Sequence, residues 1–236
     1  MTMNTPAPTN TLPDAFGRDW VTAMIHTVLG TGSSSDGAAT ALGELDRRAG
    51  DGDFGTNLTS AFTRVTDEVS GSNPHTYTAW LTAVSRGFLG TGGTSGPLFG
   101  MFFRDLARCT DSPSPTVAEL ADGLTRGVAT VQRYGKAAVG HKTMVDALAP
   151  ASETLRAQVV SDQPGTDALA AAAAAAKDGA LSTRDITARR GRASYVGDVA
   201  KGVLDPGAVA AALMIQCAAQ AAEGNAGAVD ASWSHS

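Results

Sequence analysis

Apolar residues recur three and four positions apart in one segment after another: Phe16, Trp20, Met24 and Val28, then Leu58, Phe62, Val65 and Val69, then Val117, Leu120, Leu124, Val128 and Val131. That spacing lines one face of a helix, so each set predicts an amphipathic helix. Starts are marked by Pro13-Asp14, by Ser114-Pro115 with Glu119 in the first turns, and by Asp205-Pro206, because proline has no useful amide to lose at the first helical position. Alternating Val, Ile, Thr and Tyr runs are nearly absent. Alanine, the best helix former, dominates Ala168 to Ala176, and Lys177-Asp178-Gly179 reads as the end of that helix. The sum is about eight or nine helices of about 12 to 20 residues, an all-α bundle or barrel. Glycine and serine gather between the helical stretches, at Gly30 to Ser35, Gly50 to Gly55, Gly90 to Gly96 and Gly191 to Gly197, and these loops are where chemistry is expected.

The chain has 236 residues, 43% of them hydrophobic, enough for one sizeable core, and a single domain over residues 13–230 is expected. Residues 1–12 are rich in Thr, Asn, Pro and Ala and cannot bury enough surface to offset their ordering entropy, which predicts a disordered tail. Residues 231–236 are expected to form a second, flexible one. A formal charge of −5 and a pI near 5.3 leave no basic footprint, so neither nucleic acid nor an anionic membrane is an expected partner. No long apolar run and no signal-peptide order appear, which predicts a soluble, cytoplasmic protein. Cys109 and Cys217 lie far apart in no metal-ligand array and read as buried free thiols.

The most informative stretch runs from Leu45 to Asn57, in which Asp46, Asp51 and Asp53 are spaced five and then two apart with glycines between them. Three like charges converge only if the backbone folds tightly and a cation sits between them. Magnesium fits that demand, being held by a few carboxylates with the remaining positions left to water and phosphate oxygens. A solvated Asp-Gly turn is the plainer reading of any one of these aspartates. Gly50, Gly52 and Gly55 match a dinucleotide fingerprint, but no strand precedes them and Asp51 and Asp53 would repel a bare pyrophosphate. An EF-hand starting at Asp46 or Asp51 needs Glu at its twelfth position, where Asn57 and Phe62 stand.

A second glycine loop, Gly90 to Pro97, leads into the apolar run Leu98 to Phe103, and its amides and hydroxyls at a helix start suit an anion as well as a plain cap. Gly135-Lys136 and Lys142-Thr143 do not complete a Walker A motif, which excludes P-loop machinery.

Taken in order, Asp46 with Gly50-Asp51-Gly52-Asp53, Gly93 to Leu98, Lys142 to Leu148, Gly191 to Tyr195 and Asp205-Pro206-Gly207-Ala208 resemble the successive motifs of the nucleotide-binding L subunit of dihydroxyacetone kinase, from about Asp14 to Ala222. The resemblance implies an eight-helix antiparallel up-and-down α-barrel whose loops at one end hold ATP or ADP through two magnesium ions. It implies Asp46, Asp51 and Asp53 as metal ligands and, with Arg192, as the catalytic set. Phe54, Gly55, Thr56 and Asn57, with Thr94 and Ser95, would line the phosphate end; Gly135, Met144, Arg192, Asp205, Pro206 and Gly207 would contact the rest of the nucleotide. In that family a short hydroxyketone is held by a separate K subunit, so this chain is expected to be half of a glycerone kinase. Its expected partners are a K-type chain and, where ADP stays bound, a phosphotransferase-system donor protein; self-association is left open.

The chain departs from the family's pattern at Phe54, where histidine is common, and at His141, where aspartate is common. Phenylalanine can neither accept a hydrogen bond nor carry a proton. A non-catalytic paralogue that binds nucleotide or regulates is therefore the alternative reading. Were the inward faces of the helices left unfilled, an apolar ligand would have room in the interior.

Overall fold

The computed structural model describes residues 10–31, 37–190 and 201–235, and these are all-helical. In chain order the helices are α1 (Phe16–Leu29), α2 (Ala38–Ala49), α3 (Phe54–Ser72), α4 (Tyr77–Leu89), α5 (Ser95–Ala107), α6 (Val117–Gly135), α7 (Val145–Val160), α8 (Gly165–Ser182) and α9 (Pro206–Ala222). The described residues thus hold nine α-helices where the resemblance implied eight, and their single β-bridge joins Thr11 to Thr116. From α2 to α9 each helix packs on the next, and α9 returns to α1 and α2. Short connections between packed neighbours make the order up-and-down.

The three stripes read from the sequence face inward: Phe16, Trp20, Met24 and Val28 are buried, as are Leu58, Phe62 and Val65 and the whole set from Val117 to Val131. In α9, 14 of 17 residues are buried, as expected of a helix apolar on every side. Its indole neighbour Trp20 donates from Nε1 to the Met214 carbonyl at 2.8 Å. Phe62, Phe88, Phe99 and Phe103 stack edge and face at centroid separations of 5.2 to 5.9 Å, and with Phe16, Trp20 and Tyr77 they fill the interior.

Caps follow the sequence, with one shift. The start of α6 is set by Thr116, whose hydroxyl and the Glu119 carboxylate form a capping box, two residues beyond Ser114. Asp205 caps α9 through the Ala208 amide at 2.7 Å, with Pro206 at the first position. Of the stretches expected as tails, residues 10–12 and 231–235 are among the described residues and make defined contacts. The Asn10 carbonyl accepts from Val117 N at 2.9 Å and its Oδ1 from Gly165 N at 3.0 Å, satisfying orphan amides at the starts of α6 and α8. Leu12 is buried, Trp233 is half-buried beneath the Lys177 ammonium, and Ser234 is buried. Composition counts apolar surface, whereas a few hydrogen bonds to helix ends suffice to hold these short pieces.

Gly179 does not end α8, which continues to Ser182. Pro150 in α7 has no amide for the Asp146 carbonyl, and a Cβ at position 179 would run into that oxygen. The glycine is a point of close approach between α7 and α8. Gly55 does the same for α3, where a Cβ would meet Gly43 Cα at 2.8 Å. Gly55→Ala is expected to lower unfolding free energy by about 2 kcal/mol through overpacking. Gly71→Ala, with nothing within 4 Å, is expected to raise it by about 0.5 kcal/mol. Urea denaturation of both variants measures the contrast.

Candidate functional site

The up-and-down order places four helix starts at one end of the molecule, those of α3, α5, α7 and α9, beside the ends of α2 and α6. Between them lies an open-sided cleft of about 150 Å³. Asp46 and Ala49 line it from α2 and Asp51 from the loop after it, Phe54 and Asn57 from α3, Gly93, Thr94, Ser95 and Leu98 from the start of α5, and Val131, Gly135 and Ala137 from the end of α6. Lys142, Thr143, Met144 and Val145 come from the start of α7, Arg190 from the segment before it leaves the described residues, and Asp205, Pro206 and Gly207 from the start of α9. Helix starts present unpaired amides and the positive ends of their dipoles, so the cleft favours an anion. Thr94, at the cap of α5, and Asp53, at the cap of α3, make no side-chain cap bond.

The aspartate loop is wound around one buried carboxylate. Asp46 accepts at Oδ2 from Phe54 N at 2.9 Å, and the Asp46 carbonyl accepts from Gly50 N at 2.6 Å. A Cβ at Gly50 would strike Asp46 Oδ1, and Gly52 turns the chain at φ +81°, a conformation side chains rarely adopt. Burial raises the Asp46 carboxyl above the ordinary range; the Phe54 amide pulls it down, and Asp51, hydrogen-bonded beside it, raises it again. Two carboxylates thus meet at the cleft wall, where a divalent cation would relieve their repulsion.

Of the residues expected to form the site, the cleft gathers Asp46, Asp51, Phe54, Asn57, Thr94, Ser95, Gly135, Met144, Asp205, Pro206 and Gly207. Asp53, Gly55 and Thr56 stand outside its lining: Asp53 and Thr56 are exposed, and Gly55 is spent on the α2 crossing. Arg192, with the rest of Gly191 to Tyr195, lies outside the described residues. Among the described residues no three His, Cys, Asp or Glu side chains are gathered as a ready metal cage. The donors still suit magnesium, which binds through one or two carboxylates and completes its shell with water and phosphate oxygens. His141 takes part in a loop, its Nδ1 accepting from Ala138 N at 3.2 Å.

Three polar residues were not read as site residues, the buried Asp146 and Lys142 and the exposed Arg190. Asp146 accepts at Oδ2 from Thr143 N at 2.7 Å and at Oδ1 from Gly140 N, which shapes the entry to α7. Lys142 is buried beneath the same turn. Arg190 reaches the cleft, and its only sequence signal was its place beside the Gly191 motif. The two cysteines are free; burial pushes Cys109 up to about 11 and Cys217 up to about 12, which disfavours the thiolate at both.

Burial also pushes Asp205 up to about 7, with the Ala208 amide and Lys142 opposing and Asp146 and Asp46 reinforcing. An unfolded aspartate ionises near pH ~3.9. The folded chain therefore holds this proton more tightly, and the stability it contributes falls as pH rises from about 4 to about 7. Asp205→Asn keeps the cap and removes the titration. Its melting temperature is expected to fall less than the wild type's over that interval, by on the order of 5 °C, in thermal unfolding without ligand.

Residues 48–220 match the family described as the DAK2 domain. The chain is 38% identical over 181 residues to the PEP-dependent dihydroxyacetone kinase, ADP-binding subunit DhaL, of Escherichia coli (strain K12), covering 76% of this chain and 86% of that one. It is 31% identical over 184 residues to the corresponding DhaL subunit of kinase 1 of Listeria innocua, covering 76% and 85%. Among solved structures, the dihydroxyacetone kinase from C. freundii in complex with AMP-PNP and Mg2+ superposes with a TM-score of 0.60 at 25% identity, over 93% of this chain and 36% of that one. The present chain thus spans only part of that longer protein. Among the described residues no helix is long and apolar enough to cross a membrane.

Proposed function

This chain belongs to the DAK2 domain family, and on that premise we propose that it is the nucleotide-binding subunit of a dihydroxyacetone-kinase-type phosphotransferase. The observation that carries the reading is the meeting of Asp46 and Asp51 on one wall of a cleft otherwise ringed by helix starts. A nucleoside di- or triphosphate with magnesium matches both features, because the amides favour phosphate and the carboxylates favour the cation.

In this proposal Asp46 and Asp51 hold the metal, with Asp53 beside them as the third carboxylate and two ions in all. Bound magnesium supplies positive charge for the transferring phosphoryl oxygens. The amides of Gly93, Thr94 and Ser95 at the start of α5 orient the phosphates and spread the charge that develops on them. Leu98, Val131, Ala137 and Val145 form the apolar wall for the base, with Met144 and Gly135 at its edge. Asp205, Pro206 and Gly207 close the far side, Arg190 brings a guanidinium group toward the anion, and a like role is proposed for Arg192 from its motif alone.

The acceptor approaches from the open side of the cleft. A short hydroxyketone held by a separate K-type subunit is the proposed acceptor, and ATP or a protein-recharged ADP the donor. Phe54 favours a second reading, a nucleotide-binding or regulatory paralogue without transfer, because it lines the cleft with an apolar ring where the family commonly carries histidine.

Titration calorimetry of ADP with and without magnesium tests the site. Binding is expected only with magnesium, and Asp46→Asn or Asp51→Asn is expected to weaken it by about tenfold or more, ~1.4 kcal/mol, with helix content unchanged. Equal affinity in both variants would remove the site assignment. Adding a relative's K-type subunit, dihydroxyacetone and ATP separates the two readings: phosphorylated product supports the kinase subunit, and tight magnesium–ADP binding without turnover supports the paralogue.

A further inference from the structure

Lys142 is 1% exposed and stands at φ +61°, a left-handed backbone that lysine adopts at a cost. Its Nζ donates to the carbonyls of Thr183 at 2.7 Å, Ile186 at 3.2 Å and Val203 at 2.7 Å. Ile186 and Val203 flank positions 187–202, among which Arg190 lines the cleft. The two flanks are also joined by Gly202 N donating to the Arg184 carbonyl at 2.8 Å and Asp205 N donating to Thr183 Oγ1 at 2.9 Å. Arg189 N donates to the His141 carbonyl at 3.2 Å, next to Lys142 itself. One ammonium therefore joins the start of α7 to both flanks and to the cap of α9.

We propose that Lys142 is a positioning residue of the nucleotide cleft, an internal tie whose ammonium binds the carbonyls of Thr183, Ile186 and Val203 and so holds Arg190 and Asp205 in place in the cleft wall. Its part in nucleotide binding rests on the function proposed above; the tie itself does not. Lys142 lies in the cleft wall, but its charged end is turned into three backbone carbonyls, so it acts through its neighbours. A buried ammonium tolerates this place because carbonyl oxygens replace its water and the carboxylates of Asp205, Asp185 and Asp146 surround it. An apolar side chain of similar length leaves those carbonyls without a donor.

Lys142→Met is the test, read first by amide hydrogen exchange in the full chain without ligand. Protection at Gly202 and Asp205 is expected to fall by about tenfold or more, while the amides of α5 keep theirs. Unchanged protection at those two amides, or a uniform loss across all helices, overturns the tie. Should Met at this position prevent folding, Lys142→Gln, which retains two donors without charge, carries the same comparison.

The binding consequence is read by a double-mutant cycle in the magnesium–ADP dissociation constant. Lys142→Met and Arg190→Ala are each expected to weaken binding by about five- to tenfold, and the pair by no more than about twofold beyond the stronger single variant. Multiplicative losses, or full affinity in Lys142→Met, overturn the positioning role. Absence of magnesium–ADP binding in the wild type would instead defeat the proposed function, leaving hydrogen exchange to decide the tie.

Discussion

Everything at the cleft depends on the alternation of helix direction. Because each helix returns beside the one before it, α3, α5, α7 and α9 all begin at the same end, and their unpaired amides open on one space. A fold whose chain simply goes up and down thus builds an anion site without devoting a dedicated loop to it. What makes the site selective is the opposite charge set into the same wall. Asp46 and Asp51 would repel both each other and a bare phosphate, and a hard divalent cation turns that double repulsion into attraction on both counts.

Holding two acids in place demands close backbone packing around them. Gly50 leaves the space that the Asp46 carboxylate occupies, and Gly55 lets α3 approach α2 closely enough to deliver Phe54 N to the same group. On the other side of the cleft the work is done by side chains. Asp146 gathers the amides at the entry to α7, Asp205 caps α9, and Lys142 lies between them with its charge spent on carbonyls. The two walls are built by different means, glycine contact on one and a buried polar network on the other, yet both put backbone amides where negative charge is to sit.

Phe54 marks where this chain parts from the pattern of its family. Its amide does structural duty for Asp46, a role any residue but proline fills, while its ring faces both the cleft and a crevice bounded by Leu58, Phe88 and Phe99. The backbone function at this position is separable from whatever a side chain there contributes. Substitution can therefore leave the metal-binding loop standing and still alter the chemistry.

The sequence by itself determined the helices, because spacing of Phe16, Trp20, Met24 and Val28 or of Val117 to Val131 is a local property that burial only confirms. It also determined the aspartate loop and most of the cleft wall, since Asp46, Asp51, Thr94, Ser95, Met144 and Asp205 stand in short motifs whose residues act within a few positions of one another. Tertiary structure decided the rest. Gly179 reads as a helix end and is a crossing point, because the oxygen it must avoid belongs to Asp146 on another helix. Gly55 and Thr56 follow the aspartates in sequence but turn away from the cleft as α3 winds. Asn10 to Leu12 look like tail, yet they complete helix ends more than a hundred residues away. Lys142 reveals nothing of its three carbonyl partners in the one-dimensional chain, because they lie 41 to 61 positions distant and are brought together only when the bundle closes.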